Sequence, residues 1–190
     1  MCANDGTHVG TDKIMGKVIL ITGGQRSGKS EEAERLALQL SEHPVYMATA
    51  HPWDDEFRQR IALHQQRRGP QWTNIEEERR LSRHDLRGRV VLIDCVTLWL
   101  TNLLFDHGDD IGSDDVKRVL EEAKAEFDAL VSQEGATFIF VTNEIGLGGV
   151  SDNRLQRLFT DLQGWMNQYI ARRADEVTLM VSGIAVRVKS

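Results

Sequence analysis

The sequence predicts an α/β fold in which a mostly parallel sheet is covered by flanking helices. Short apolar runs rich in β-branched residues alternate with segments whose apolar residues recur at helical spacing. The runs are nearly continuous, which is typical of strands buried on both faces. A glycine-rich loop joins the first run to the first helical segment, as in many nucleotide-binding proteins of this class.

The strands are predicted first, because their apolar runs are the clearest signal. They begin at Lys17, Val45, Arg89, Thr137 and Glu176. A last segment from residue 184 follows Ser182-Gly183 so closely that we expect an antiparallel edge strand. Helical stripes between the strands cover residues 33–40, 116–130 and 155–170. Ser113 is the expected N-cap of the second of these helices.

Composition limits the classes of function. The 190 residues carry a net charge of −6, with no clustered basic surface of the kind that nucleic acid requires. Cys2 and Cys95 are too few for a disulfide framework, and no apolar run reaches the roughly 18 residues of a membrane span. We therefore expect a cytoplasmic protein. Residues 1–14 are expected to be a disordered leader, and residues 15–190 a single domain.

The glycine-rich loop satisfies the full pattern of a phosphate-binding P-loop, with Gly23, Gly28, Lys29 and Ser30 at the defining positions. Its backbone N–H groups form a nest for phosphate oxygens, and the following helix adds its positive dipole. Lys29 can reach the outer phosphates and Ser30 can hold Mg²⁺. The alternative is a chance glycine turn. The predicted nucleotide-binding residues of the loop are Gly23, Gly24, Gln25, Arg26, Ser27, Gly28, Lys29 and Ser30.

Asp94 is the candidate metal-binding carboxylate that accompanies the loop. It ends the apolar run from Arg89, where a Walker B carboxylate coordinates Mg²⁺ directly or through water. The alternative is an aspartate that caps the next helix. Together, the loop and Asp94 predict a Mg²⁺-dependent purine-nucleotide enzyme or switch, and residue chemistry alone goes no further.

Three longer stretches resemble one family. They are "GGQRSGKSEEAE" from Gly23, "RIALHQQRRGPQWTNIEE" from Arg60 and the C-terminal part from Val141, which opens "VTNEIGLGG" and contains "VSGI". The chain resembles the bifunctional adenosylcobinamide kinase/adenosylcobinamide-phosphate guanylyltransferases of cobalamin synthesis. The similarity runs from about Met15 to the C-terminus and includes "IDCVTLWLTNLL" from Ile93.

The resemblance implies a RecA-like P-loop domain with two activities. The first phosphorylates adenosylcobinamide with ATP or GTP. The second transfers GMP from GTP to adenosylcobinamide phosphate through a GMP–histidine intermediate. Members of the family need Mg²⁺ and assemble as trimers, so the expected partners are the two corrinoids and two further copies of the chain.

The resemblance also assigns the nucleophile and a nucleotide pocket. His64 matches the family's guanylylated histidine, although a histidine on an apolar helix face is otherwise more often a packing residue. The further nucleotide-binding positions that it implies are Ala48, Thr49, Ala50, Gln65, Gln66, Arg67, Arg68 and Glu76. Arg68 would offset phosphate charge and Glu76 would accept hydrogen bonds from guanine, but the neighbouring Glu77 and Glu78 leave its register open.

Two other classes share the P-loop. One is a single-activity small-molecule kinase, which would form no nucleotide adduct on the protein. The other is a RecA-like regulatory ATPase, which would hydrolyse ATP without a corrinoid. The loop in "VTNEIGLGGVSDN" fits either a substrate contact or a tight turn that needs glycine. Trp165, beside the longest helical stripe, fits the core or a subunit interface.

Overall fold

Seven strands form one sheet in the order β3-β2-β4-β5-β1-β6-β7. The computed structural model describes residues 15–51, 69–108 and 110–190. All neighbouring strands are parallel except β6 and β7, which confirms the mostly parallel sheet and its antiparallel edge. The strands are β1 (Lys17–Gly23), β2 (Val45–Ala48), β3 (Thr73–Glu76), β4 (Val90–Asp94), β5 (Thr137–Asn143), β6 (Glu176–Val181) and β7 (Ile184–Lys189).

Helices cover both faces of this sheet. They are α1 (Lys29–Leu40), α2 (Val96–Phe105), α3 (Ser113–Val131) and α4 (Arg154–Arg173). Side chains alternate along each strand, so one face of the sheet packs on α1 and the other packs on α2, α3 and α4. The apolar core between the sheet and α2, α3 and α4 is larger than the core under α1, and it holds most of the buried aromatic residues. In the residues that the structure describes, no helix is long and apolar enough to cross a membrane.

The structure contains one strand that the sequence did not predict, and α3 begins one residue earlier than predicted. β3 was not predicted because it is short, polar and mostly exposed, and so lacks an apolar run. The N-cap of α3 is Gly112, and not Ser113, which is the first helical residue. The Asp115 carboxylate accepts a hydrogen bond from the Gly112 N–H group at 2.9 Å, and this contact fixes the start of the helix one position earlier.

A buried polar network fixes the carboxyl end of β5 against α4. The Thr142 hydroxyl donates to Asn167 Oδ1 at 2.7 Å, and Gln163 Nε2 donates to the Thr142 hydroxyl at 2.9 Å. Asn167 Nδ2 in turn donates to the carbonyl of Asn143 at 3.0 Å. Such a network costs stability if one member is lost, and it holds the strand end in one position. Trp165 lies off the buried stripe of α4 and is 44% exposed.

Candidate nucleotide-binding edge

The predicted site residues that the structure describes lie at the carboxyl edge of the sheet. β1 ends at Gly23, which pairs in register with Asn143 at the end of β5. On the other side of β5, Ala48 pairs with both Asp94 and Glu76. Carboxyl ends of parallel strands are where open α/β sheets bind their ligands. The fold therefore brings the P-loop, Asp94 and the end of β2 into one row.

The P-loop has the backbone of an anion-binding nest. Gly28 is the N-cap of α1 and has a φ of 93°, and Arg26 is also left-handed with a φ of 57°. Residues 24–26 are exposed, whereas the Ser27 and Lys29 side chains are buried. The left-handed backbone at Arg26 and Gly28 turns successive N–H groups toward one point at the start of α1, where the helix dipole is positive.

Lys29 lies over the loop that precedes it. Its ammonium donates to the carbonyl of Gly24 at 2.5 Å and lies 3.5 Å from the Ser27 hydroxyl. Burial lowers the pKa of Lys29, and the negative charge of the nearby Asp94 carboxylate opposes that shift. A buried cation above a nest of N–H groups is suited to phosphate oxygens, which supply the charge that burial otherwise leaves uncompensated.

The β6–β7 turn holds the P-loop from behind. The N–H group of Gly183 donates to the carbonyl of Ser27 at 3.0 Å. Gly23 has a φ of 155°, and a Cβ atom there would lie 2.5 Å from the Met180 carbonyl oxygen. Only glycine fits this contact, because the obstacle is backbone that cannot rotate away. The "VSG" segment thus has a structural role in supporting the phosphate loop.

Asp94 ends β4 beside the P-loop. One carboxylate oxygen, Oδ2, accepts a hydrogen bond from the Tyr46 hydroxyl at 2.7 Å. Tyr46 is otherwise buried, so this bond fixes the direction of the carboxylate. The N-cap of α2 is the next residue, Cys95, so the alternative of Asp94 as the helix cap is not what the structure contains. Burial, together with the charge of Asp94, raises the pKa of the Cys95 thiol to about 12.

Asn143 is a further polar residue at this edge, and the sequence did not single it out. It ends β5, between the strand of the P-loop and the strand of Asp94. Its backbone N–H and side-chain Nδ2 both donate to the Thr97 hydroxyl, at 3.2 and 3.1 Å. A signal was present, because Asn143 follows its apolar run as Asp94 follows the run of β4. A polar residue that ends a buried strand is a general sign of a ligand edge.

The three predicted residues at the end of β2 differ in their exposure and contacts. The Thr49 side chain is fully buried, and its hydroxyl donates to the Cys95 carbonyl and accepts from the Cys95 N–H, both at 2.8 Å. The Thr49 carbonyl accepts from Asn102 Nδ2 at 2.7 Å. Thr49 therefore joins β2 to the start of α2, while Ala48 and Ala50 remain half-buried at the edge.

The three glutamates after β3 have different surroundings. Glu76 is exposed at the end of the strand. Glu77 is buried, accepts the N–H groups of Arg79 and Arg80 at 3.1 and 3.0 Å, and also contacts Arg83 and His84. Burial opposes its ionisation, but these donors outweigh burial, so the pKa of Glu77 lies below its ordinary value. Glu77 is thus a structural carboxylate.

Glu78 joins a second network that the sequence did not indicate. Its Oε1 lies 2.9 Å from Nδ1 of His51, three residues after the end of β2. Its Oε2 accepts a hydrogen bond from Arg79, which also makes a two-bond contact with Asp106 at 2.5 and 2.7 Å. A carboxylate on one ring nitrogen orients an imidazole. His51 is therefore a histidine near the carboxyl edge of the sheet, with its ring oriented by a carboxylate.

Part of the predicted site lies outside the described residues. This part comprises the predicted nucleophile and the four residues after it, which are His64, Gln65, Gln66, Arg67 and Arg68. The described residues stop at His51, three residues after β2, and resume at Gly69, four residues before β3.

Comparison with known proteins gives a consistent result. A family model described as cobinamide kinase / cobinamide phosphate guanyltransferase matches residues 19–188. The bifunctional adenosylcobalamin biosynthesis protein CobU of Escherichia coli is 41% identical over 181 residues, which cover 90% of this chain and 99% of that protein. The corresponding protein CobP of Pseudomonas aeruginosa is 42% identical over 174 residues, with 90% and 96% coverage. CobU of Salmonella typhimurium is 38% identical over 183 residues, with 90% and 99% coverage.

Solved structures show similarity at the level of the fold. An ATPase of the type III secretion system of pathogenic bacteria has a TM-score of 0.53 at 12% identity, covering 91% of this chain and 57% of its own. A protein from Pyrococcus horikoshii has a TM-score of 0.51 at 8% identity, with 93% and 88% coverage. These similarities concern the fold alone, and they agree with the predicted α/β sheet with flanking helices.

Proposed function

The chain belongs to the cobinamide kinase / cobinamide phosphate guanyltransferase family, and we propose that both reactions take place at the carboxyl edge of its sheet. The enzyme phosphorylates adenosylcobinamide and transfers GMP from GTP to adenosylcobinamide phosphate, which gives adenosylcobinamide-GDP. One observation supports this location. The complete P-loop follows β1 and Asp94 ends β4, and these two strands lie on either side of β5, which ends at Asn143.

The kinase step needs position and charge more than covalent chemistry. The N–H groups of the loop would hold the phosphates, with Lys29 on the outer phosphate oxygens. The corrinoid hydroxyl oxygen attacks the γ-phosphorus, and the bond to the β-phosphate oxygen breaks. The nucleoside diphosphate leaves with the electrons of that bond, and the hydroxyl proton is released to solvent. Support for this assignment comes from the buried ammonium of Lys29, which lies directly over the nest.

We propose Mg²⁺ as the metal of both reactions, held by Ser30 and Asp94. One hydroxyl and one carboxylate fit Mg²⁺, which takes its other ligands from water and phosphate oxygens. Among the described residues there is no group of three or more His, Cys, Asp or Glu side chains that could hold a metal. The proposed site does not require such a group, because Ser30 and Asp94 would be its only protein ligands. When bound, the metal offsets the charge of the triphosphate. The Tyr46 hydroxyl positions Asp94 for that role.

For guanylyl transfer we propose His64 as the nucleophile, although it lies outside the described residues. Its ring nitrogen attacks the α-phosphorus of GTP and the bond to pyrophosphate breaks. A phosphate oxygen of adenosylcobinamide phosphate then attacks that phosphorus, the P–N bond breaks, and the histidine is restored. Glu76 would accept hydrogen bonds from guanine, which is supported by its exposed place in register with Ala48. Arg68 would offset phosphate charge.

The test is incubation with GTP radiolabelled at the α-phosphorus, followed by denaturing electrophoresis. We expect an acid-labile, alkali-stable label on the wild-type protein and none on His64→Ala. His51→Ala is the matched control, because His51 is a histidine at the same edge with a carboxylate partner. A label that survives in His64→Ala and disappears in His51→Ala would transfer the nucleophile to His51. Phosphorylation of adenosylcobinamide without any label would leave a kinase alone.

We further propose a homotrimer in the cytoplasm. β7 is the edge strand of the sheet, and Ile184, Val186 and Val188 on it are exposed apolar side chains at alternate positions. An apolar edge strand favours pairing with another chain. Light scattering of Val186→Lys against the wild type tests this surface, and an unchanged trimer would exclude it. The cytoplasm supplies nucleotide substrates and keeps thiols reduced, so the free thiol of Cys95 fits this compartment.

A further inference from the structure

A cleft lies between the loop that follows β5 and the first turns of α4. Its volume is about 470 Å³, and its walls include Gly149, Val150, Ser151, Arg154, Arg157 and Thr160. None of these residues belongs to the predicted nucleotide site. Volumes of this order hold a small-molecule ligand or a large part of one.

The cleft adjoins the phosphate loop through β5. The N–H group of Glu144 donates to the Gly23 carbonyl at 3.0 Å, which joins the end of β5 to the start of the P-loop. The cleft wall begins two residues later, at Gly146. The buried network of Thr142 and Asn167 holds this strand end in place. A ligand in the cleft therefore lies next to the reacting phosphates and outside the nest that binds them.

Two arginines give the cleft a positive wall. Arg154 donates from Nη1 to the Ile111 carbonyl at 2.9 Å, and Arg157 donates from Nη1 to the carbonyls of Ser151 and Asp152, both at 2.8 Å. Each guanidinium has five N–H groups, so these anchors leave donors on both side chains for an anion. Planar guanidinium groups are the usual partners of phosphate. Asp161 also lines the cleft, so its net charge is +1.

The rim of the cleft is apolar. Val150 lines the cleft and is 89% exposed, and Leu147, three residues before it in the same loop, is 80% exposed. Large aliphatic side chains this exposed on a loop near an active site are typical of a ligand contact. The cleft thus combines donors for an anion with an apolar surface outside them.

We propose that this cleft binds the corrinoid acceptor, with Arg154 and Arg157 on its phosphate and with Leu147 and Val150 against its macrocycle. The proposal rests on the proposed function, because it places the second substrate of guanylyl transfer. The two arginines then distinguish adenosylcobinamide phosphate from adenosylcobinamide. The apolar rim contacts both compounds equally, since the macrocycle is the same.

The test compares Arg154→Ala and Arg157→Lys with Arg172→Ala, a control on the same helix that contacts Gln168 and not the cleft. We expect the KM for adenosylcobinamide phosphate to rise at least about tenfold in both cleft variants, because Arg154→Ala removes a charged donor and Arg157→Lys replaces the planar two-donor guanidinium with a single ammonium. Formation of the GMP–protein adduct and the KM for GTP should not change. Val150→Asp should weaken binding of both corrinoids to the same extent.

Two results would overturn the proposal. One is an unchanged KM for adenosylcobinamide phosphate in both arginine variants. The other is an equal loss of adduct formation, which would assign the arginines to GTP phosphates. Calorimetric binding of adenosylcobinamide phosphate to the wild type and the variants is independent of the adduct. A wild-type protein without an adduct would therefore contradict the His64 mechanism and still leave the cleft tested.

Discussion

The P-loop and the loop after β5 follow neighbouring strands of the same sheet edge but are held in different ways. Backbone contacts hold the P-loop: Gly23 abuts the Met180 carbonyl, and Gly183 donates to the carbonyl of Ser27. Side chains hold the other loop: Arg157 donates to the Ser151 and Asp152 carbonyls. The first loop is closely packed, and the second exposes Leu147 and Val150.

We propose that this difference in support reflects what each loop binds. A nest of N–H groups binds phosphate only if its backbone is fixed, so steric contact with β6 and the β6–β7 turn suits the P-loop. A loop that binds through side chains tolerates more exposure, because the guanidinium groups on the rigid helix α4 carry the contact. In this proposal both loops contact the reactants, the P-loop through its backbone N–H groups and the loop after β5 through side chains.

The largest effect is expected where the backbone of the P-loop is disturbed. In Gly23→Ala, the new Cβ would lie 2.5 Å from the Met180 carbonyl oxygen, at a φ of 155° that alanine avoids. The loop must then move, and we expect nucleotide affinity to fall about 100-fold, which is about 2.7 kcal/mol. Equilibrium binding of GTP measures this. Affinity within a factor of two of the wild type would show that the loop accommodates a side chain.

A smaller effect is expected at Glu77, where a buried side chain holds the backbone. Glu77→Gln should lower the free energy of unfolding by about 1–2 kcal/mol near pH 7, because charged hydrogen bonds become neutral. Since the pKa of Glu77 is lowered from 4.5 in the fold, its contribution is present above that value and is lost as the pH falls below it. Urea unfolding near pH 7 and near pH 3 measures the difference.

Glu76→Gln is the control for that experiment, since Glu76 is exposed one residue away. It should leave the unfolding free energy and its pH dependence close to those of the wild type. If the difference in unfolding free energy between the wild type and Glu77→Gln were as large near pH 3 as near pH 7, the assigned role of the ionised Glu77 would be wrong.

The smallest effect is expected in the loop after β5. Gly148→Ala introduces a Cβ with nothing within 4 Å, at a φ that is not left-handed. We expect unfolding free energy and GTP affinity to change by less than about 0.5 kcal/mol. Thermal unfolding and GTP binding, side by side with Gly23→Ala, complete the comparison. A loss as large as that of Gly23→Ala would show that both loops are equally constrained.

Sequence patterns predicted the parts of the fold that have strong local signals. The five buried strands, the antiparallel β7 and the P-loop were all correct, because each has an apolar run or a glycine pattern of its own. β3 was missed, because an exposed edge strand needs no apolar residues. Gly112 was missed as the cap of α3, because the contact that selects it comes from Asp115.

The sequence by itself determined the phosphate loop, its lysine and the family, since these depend on residues adjacent in the chain. The tertiary structure decided which glutamate after β3 is structural, which tyrosine orients Asp94 and which histidine accompanies Glu78. It also brought Arg154 and Arg157 together in the wall of one cleft. These assignments join residues distant in the chain, and burial and hydrogen-bond geometry exist only once the sheet has brought its strand ends together.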